Sequence, residues 1–274
     1  MSKLSPQFPS RRQRLEEGIR ARLPNAPELV LVTDLDGTLL EGSPGWRRRF
    51  YSWLASRSDS VLHVFNTGRD LASIARVLQE EASMGLRSPH LAIGDVGCTV
   101  ACGVSLEPIP LVIDPIERRW RGQPERVLPL LQGMPGLSPQ PVSAVRRLAY
   151  LIDPTILDTA RLQAVEALGV DCLVSGEKYL DVLPAGVNKG STLTELIRWL
   201  EVLPEMVVTA GDSLNDLAMF ETGLQGVIVG NAEPALVAAL PSLQRTYRAK
   251  AHGCAGIVEG LRHFGFSPLL ASHF

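Results

Sequence analysis

The chain has 274 residues, 45% of them hydrophobic, and its 27 Lys and Arg nearly balance its 29 Asp and Glu, leaving a formal charge of −2. Such a composition supports a large buried core and excludes a disordered chain. The absence of a broad basic field argues against nucleic-acid binding by counterion release, and no apolar run is long enough to span a bilayer, so chemistry on a small molecule is the expectation.

Met1 to Ala26 forms a polar N-terminal extension, the segment 1–26, without the continuous apolar stretch of a secretory signal. Arg11, Arg12, Arg14, Arg20 and Arg22 are interrupted by Glu16 and Glu17, which reads as a solvated helix rather than a transit peptide. Leu29-Val30-Leu31-Val32 then predicts a buried parallel strand that delivers Thr33-Asp34-Leu35-Asp36-Gly37-Thr38 to a sheet edge. Val61 to Phe65 predicts a second strand, followed by Asn66-Thr67-Gly68-Arg69 and a helix capped by Asp70 and carrying Leu71, Ile74, Ala75 and Leu78. Pro and Gly are frequent between Pro108 and Pro141. Beyond them Ala144 to Ile152 reads as a strand, Pro154 opens a helix carrying Leu157, Leu162, Val165 and Leu168, and short strands follow at Asp171 to Val174 and Tyr179 to Leu183. Met206 to Ala210 predicts a strand running into Gly211-Asp212-Ser213-Leu214-Asn215-Asp216. Gly226 to Gly230 gives one more strand before Asn231 and a helix beginning near Pro234.

The alternation predicts an α/β fold: a Rossmann-like, doubly wound parallel sheet over residues 27–105 and 184–274, with an inserted α+β cap domain over 106–183. Ligands in such sheets bind beyond the carboxyl ends of the strands, where the acidic and Thr-bearing turns lie. Asp34 and Asp36, two apart in an extended segment, can present both carboxylates to one face, one to attack phosphorus and one to move protons. Asp212 is the first candidate ligand for a hard divalent cation, Mg2+ being the natural one. Asn215 and Asp216 either complete that shell or orient it. Thr67 and the amides beginning at Gly68 can hold phosphate oxygens, and Lys189 can place a compact positive charge beside both phosphate and Asp34. The four cysteines lack metal or redox spacing, and His63, His90, His252 and His263 lack metal-pair spacing. They read as structural or surface residues in a reducing, cytoplasmic setting.

Together these four turns resemble the signatures of the haloacid dehalogenase-like hydrolase superfamily: Asp34-Leu35-Asp36-Gly37-Thr38, Thr67, Lys189, and Gly211 to Asp216. The resemblance covers the whole core. It implies Asp34 as nucleophile and metal ligand, Asp36 as acid/base with its carbonyl on Mg2+, Thr67 and Lys189 on phosphate, and Asp212 as a ligand. The insert is similar to the cap of the sugar-phosphatase branch, and Tyr179 to Pro184 leading into Asn188-Lys189-Gly190 resembles its return to the core. Val227 to Pro234 and Ala255 to Phe266 resemble sucrose-phosphate and mannosylfructose-phosphate phosphatases, although Gly94-Asp95-Val96-Gly97-Cys98 stands where sucrose-phosphate phosphatases have a Gly-Thr-Glu-Ile-like turn. The implied activity is Mg2+-dependent hydrolysis of a phosphorylated disaccharide such as sucrose 6-phosphate. A mannosylfructose-phosphate or other sugar-phosphate phosphatase, a sugar phosphotransferase or mutase, and a noncatalytic sugar-phosphate-binding regulatory protein are the alternatives. Candidate sugar contacts are Asp95, Lys178, Asp181 and Asn231. Asp95 can instead sit in a solvated turn, Asp181 can orient either Lys189 or substrate, and Asn231 can simply end a strand.

Overall fold

The computed structural model describes residues 11–274. The chain opens with helix α1 (Arg11–Arg20), strand β1 (Leu29–Thr33), α2 (Pro44–Ser56), β2 (Val61–Asn66), α3 (Leu71–Glu80), β3 (Leu91–Gly94) and β4 (Thr99–Cys102). The Asp70 side chain caps α3 by accepting from the Ser73 amide at 2.6 Å, the local reason that helix begins where the sequence places it. Helix α1 is not simply solvated. Ile19 is buried, Leu15 and Leu23 pack on the same cluster, and the Arg20 guanidinium lies 4.2 Å from the centre of the Trp199 ring. The four-residue step from Leu15 to Ile19 makes one apolar face, which the concentration of arginines obscures. The part of the extension before Arg11 lies outside the described residues.

The next stretch holds α4 (Pro110–Trp120), α5 (Gln123–Leu131), β5 (Leu137–Pro139), β6 (Leu148–Ile152), α6 (Thr159–Glu166), β7 (Val170–Ser175) and β8 (Tyr179–Pro184). Its four strands form an antiparallel sheet in the order β5-β6-β8-β7. Trp120, Val127, Leu131, Tyr150, Leu162 and Leu180 belong to its core. The Pro-rich run contains two helices, with Pro115 and Pro129 inside them. Ile113, Ile116 and Trp120 recur on one helical face and are buried. At about 1.5–3 kcal/mol for each large apolar side chain, their burial offsets the roughly 3 kcal/mol that an internal proline costs. The strand expected from Ala144 starts only at Leu148, because Arg146 and Arg147 make ion pairs with Glu117, Asp95 and Asp181 instead of entering the ladder. The helix expected from Pro154 starts at Thr159, where the Asp158 side chain caps it by accepting from the Arg161 amide at 2.9 Å.

The chain then returns through α7 (Lys189–Leu200), β9 (Val207–Gly211), α8 (Leu217–Phe220), β10 (Gln225–Ile228), α9 (Pro234–Ala239), β11 (Thr246–Arg248), α10 (Gly253–His263) and α11 (Ser267–Leu270). Seven strands in the order β11-β10-β9-β1-β2-β3-β4 make the main sheet, parallel throughout except for β4 against β3. This is the Rossmann-like core expected. Every residue of β1 and β2 is buried, which follows from helices covering both faces and explains their unbroken apolar sequence. Leu29 and Leu31 pack with Phe50, Trp53, Ile257 and Leu261 on one face, while Val30 and Val32 pack with Leu193 and Leu196 on the other. The order reverses between β1 and β9, so the carboxyl ends of those two strands open a crevice. Among the described residues no helix is long and apolar enough to cross a membrane.

A histidine inside this core gives a stability test. His63 on β2 is buried, its Nε2 lies 3.0 Å from Thr33 Oγ1, and burial, reinforced by His90, holds its pKa down at about 3. The unfolded chain therefore takes up the proton first, and stability is lost as pH falls from about 6.5 toward about 3, by up to about 1.4 kcal/mol per pH unit. Urea midpoints of wild type and His63→Leu across that window should show a shallower loss in the variant. Parallel losses would remove His63 as a contributor.

Candidate active site

Asp34 follows β1 directly, its amide donating to the Ala210 carbonyl of β9 at 2.9 Å, and it is only 4% exposed. The chain then turns over Asp212. Gly37 has φ 72°, and a Cβ there would lie 2.2 Å from Asp212 Oδ2, so both the backbone conformation and the space require glycine. Thr38 Oγ1 donates to Asp212 Oδ1 at 2.8 Å, and Asn231 Nδ2 donates to the Gly37 carbonyl at 2.6 Å. Asn231 Oδ1 in turn accepts from the Gly253 amide at 2.9 Å. Asn231 thus braces the turn that carries the acids and does not line the cavity.

Lys189 is the first residue of α7, capped by Asn188, and is fully buried. Its ammonium donates to Asp34 Oδ1 at 2.8 Å, Asp216 Oδ1 at 2.7 Å and Asn215 Oδ1 at 2.7 Å, which uses all three of its protons. Asp216 Oδ2 accepts from the amides of Asp212 and Ser213 at 2.9 and 3.1 Å. These hydrogen bonds let Asn215 and Asp216 orient Lys189, and Asp216 also holds the Asp212 turn.

One oxygen from each of Asp34, Asp212 and Asp216 lies within 4.8 Å of the others, and the Lys189 ammonium pairs with Asp34 and Asp216 but not with Asp212. Burial, followed by the charge of Asp216, pushes the Asp212 pKa up to about 7. Burial also raises that of Asp34, against the pull of Lys189. Burial opposes the charged form of Lys189 too, but the Asp216 and Asp34 carboxylates outweigh it and hold the ammonium above its ordinary pKa. A cluster of hard oxygen donors with uncompensated negative charge fits a divalent cation of the Mg2+ kind. The Asp36 side chain is not part of it. That carboxylate points to Arg69, whose Nε and Nη2 donate to it at 2.7 and 2.6 Å.

Asp34, Asp212 and Asn215 form the floor of a cavity of about 630 Å³, with Lys189 and Asp216 buried beneath them. Thr67, Gly68 and Arg69 line one side, with the Thr67 hydroxyl accepting from the Arg69 amide at 3.2 Å. The smaller sheet and its loops contribute Gln140, Arg147, Ser175, Tyr179 and Asp181 above. Asp181 pairs with Arg147 at 2.7 Å, so Arg147 is its partner in the structure where the sequence left Lys189 or substrate open. Asp95 is buried between Arg147 and Thr99 and leaves the wall to Val96, and Lys178 is exposed, with its ammonium 5.5 Å from the centre of the Tyr179 ring. Sequence reasoning passed over Arg69, Gln140, Arg147 and Tyr179. The position of Arg69 two residues after Thr67 is the one signal that could have marked any of them.

The sequence matches the family model of sucrose-6F-phosphate phosphohydrolase over residues 27–265. A mannosylfructose-phosphate phosphatase from Agrobacterium fabrum is 31% identical over 253 residues, covering 88% of this chain and 99% of that one. A glucosylglycerol-phosphate synthase from Pseudomonas anguilliseptica is 40% identical over 239 residues, but the 87% of this chain that aligns spans only 31% of that protein. The crystal structure of sucrose-phosphatase from Synechocystis, in complex with sucrose and phosphate, superposes with a TM-score of 0.77 at 27% identity, covering 87% of this chain and 98% of that one.

Proposed function

We propose that this chain, which belongs to the sucrose-6F-phosphate phosphohydrolase family, hydrolyses the phosphate ester of a two-unit glycoside, such as sucrose 6-phosphate, through an aspartyl-phosphate intermediate. It is an enzyme of the sugar-phosphate phosphatase class. The observation that carries the finer reading is the pairing, across one cavity, of an Asp34–Asp212 floor backed by the buried Lys189 with polar side chains from the smaller sheet. Its volume of about 630 Å³ falls in the range of small-molecule sites.

In this reading a carboxylate oxygen of Asp34 attacks phosphorus as the bond to the sugar oxygen breaks, and Asp36 supplies the proton that leaves with the alcohol. Asp36 then takes a proton from the water that attacks the acyl phosphate, which releases inorganic phosphate and restores Asp34. Because Arg69 grips both oxygens of Asp36, that ion pair must open for either proton transfer. Thr67 and the amides beginning at Gly68 hold the phosphate oxygens, and Lys189 joins them by giving up one of its contacts to Asp34, Asp216 or Asn215. A Mg2+ ion, held by Asp34 and Asp212 with the Asp36 carbonyl that the family resemblance adds, would draw charge from the transferring group. The smaller sheet excludes water and selects the alcohol.

Identity of 40% to a segment of a glucosylglycerol-phosphate synthase favours glucosylglycerol phosphate as a second reading of the substrate. A panel of sucrose 6-phosphate, mannosylfructose phosphate, glucosylglycerol phosphate, trehalose 6-phosphate and hexose phosphates, assayed for phosphate release with Mg2+ and with EDTA, separates the two. A dominant kcat/KM for one glycoside phosphate, lost in EDTA, is the expected result. Isomerised sugar phosphate without phosphate release would point to a mutase, and no release from any ester would count against the enzyme reading. The four cysteines are free thiols, which supports a reducing, cytoplasmic setting.

A further inference from the structure

The turn between β3 and β4 has an unusual backbone. Asp95, Val96 and Gly97 all have left-handed φ, at 53°, 56° and 102°, a conformation that a β-branched valine adopts only when its surroundings impose it. Two groups hold Asp95 in place. Thr99 Oγ1 donates to its Oδ2 at 2.9 Å, and Arg147 Nε lies 3.3 Å from its Oδ1. Arg147 comes from the smaller sheet unit, ahead of β6, and is anchored there by donating to Asp181 Oδ1 at 2.7 Å. Nearby, the Ser143 amide donates to Asp70 Oδ2 at 2.8 Å, so the strap from Ser143 to Arg147 touches the core at more than one point. Arg147 Nε and Asp95 Oδ1 are both buried, yet neither makes a well-directed hydrogen bond. A small movement of the strap is enough to align or separate them.

Below, the same turn supports both elements beneath the candidate phosphate position. The amides of Asp95 and Val96 donate to the carbonyls of Arg69 and Thr67 at 2.9 and 3.2 Å. The Thr192 hydroxyl of α7 donates to the Gly97 carbonyl at 2.7 Å, and a Cβ on Gly97 would lie 2.4 Å from the carbonyl oxygen of Asn188, the residue before Lys189. We propose that Arg147 is a positioning residue that couples seating of the smaller sheet over the cavity to the alignment of Thr67 and Lys189, with the strained Gly94–Gly97 turn as the link. The proposal rests on the phosphatase reading of the site. Because Arg147 also lines the cavity, an occupant that draws the strap inward tightens the turn against both phosphate-side elements.

The test uses the full chain with Mg2+ and two substrates, the preferred sugar phosphate and p-nitrophenyl phosphate, which has no sugar to contact. Arg147→Met and Asp95→Asn should each lower kcat roughly 10- to 100-fold on both substrates with little change in KM, and Arg147→Lys should recover part of the loss. The double variant should be no worse than the worse single one, because both remove one contact. Amide hydrogen exchange should quicken in Arg147→Met at residues 94–98 and 188–192. A loss confined to KM for the sugar phosphate makes Arg147 a sugar contact and overturns the coupling, as do multiplicative losses or unchanged exchange. A wild type silent on every phosphate ester sinks the phosphatase reading instead, and exchange alone then decides the coupling. Should Arg147→Met fail to fold, the near-isosteric Asp95→Asn carries the same readouts.

Discussion

Asp34→Asn is expected to abolish phosphate release, by about 10⁴-fold or more in kcat, while making the cation-free protein more stable. The two effects have opposite signs for one physical reason. Asp34 is 4% exposed and shares its site with Asp212 and Asp216, and burial raises its pKa despite Lys189. A carboxyl whose folded pKa lies above its unfolded value costs stability as pH rises through the interval between the two, so at neutral pH its charge is a burden that the neutral amide lacks. Asparagine keeps an oxygen for the Lys189 ammonium at nearly the same position and cannot form the acyl phosphate. The expected gain is on the order of 1 kcal/mol, or a few degrees in Tm, measured in EDTA. Added Mg2+ should raise the Tm of wild type more than that of the variant, since one of its proposed ligands is gone. Near-normal turnover would remove Asp34 as the nucleophile, and a lower Tm in EDTA would mean that the Lys189 contact outweighs repulsion among the acids.

Much of this site is legible from sequence because it hangs on buried parallel strands. Leu29 to Thr33 and Val207 to Gly211 are wholly buried, so each reads as an apolar run with a sharp end, and the polar residues just beyond fall at the crevice between them. Lys189 is legible only in combination with the other three turns, and the structure places it at the start of a helix capped by Asn188. The division of labour among the aspartates is not local. Asp216 turns back onto two amides and Lys189, while the Asp36 carboxylate faces away toward Arg69. Spacing along the chain gives no side-chain direction once a turn intervenes. The same limit hid the link between Asp95 and Arg147, residues far apart in sequence that meet only when the two sheets are seated together. The sequence alone does not place the helices α4 and α5, because the burial that outweighs Pro115 and Pro129 belongs to tertiary packing rather than to the segment itself.

Lys189→Met is expected to damage both stability and activity. Lys189 is fully buried, and methionine matches its length and fills its space but leaves Asp34 and Asp216 without their common counter-charge. Removing one partner of a buried ion pair costs about 3–5 kcal/mol, because the remaining charge has lost both water and partner. Phosphate release should fall by about 10³-fold or more, since the proposed role of the ammonium is also to neutralise the transferring phosphoryl group. The cause can be separated from simple misfolding by a second change. Asp216 Oδ2 is held by two backbone amides that asparagine can still satisfy through its oxygen, so Lys189→Met with Asp216→Asn removes one unpaired charge and keeps the turn. Urea unfolding of the double variant should recover part of the lost stability, on the order of 1–3 kcal/mol, while activity stays absent. If the second change lowers stability further, Asp216 matters through its amide contacts more than through its charge. If activity returns with stability, Lys189 serves the fold alone and phosphate must be held by other groups.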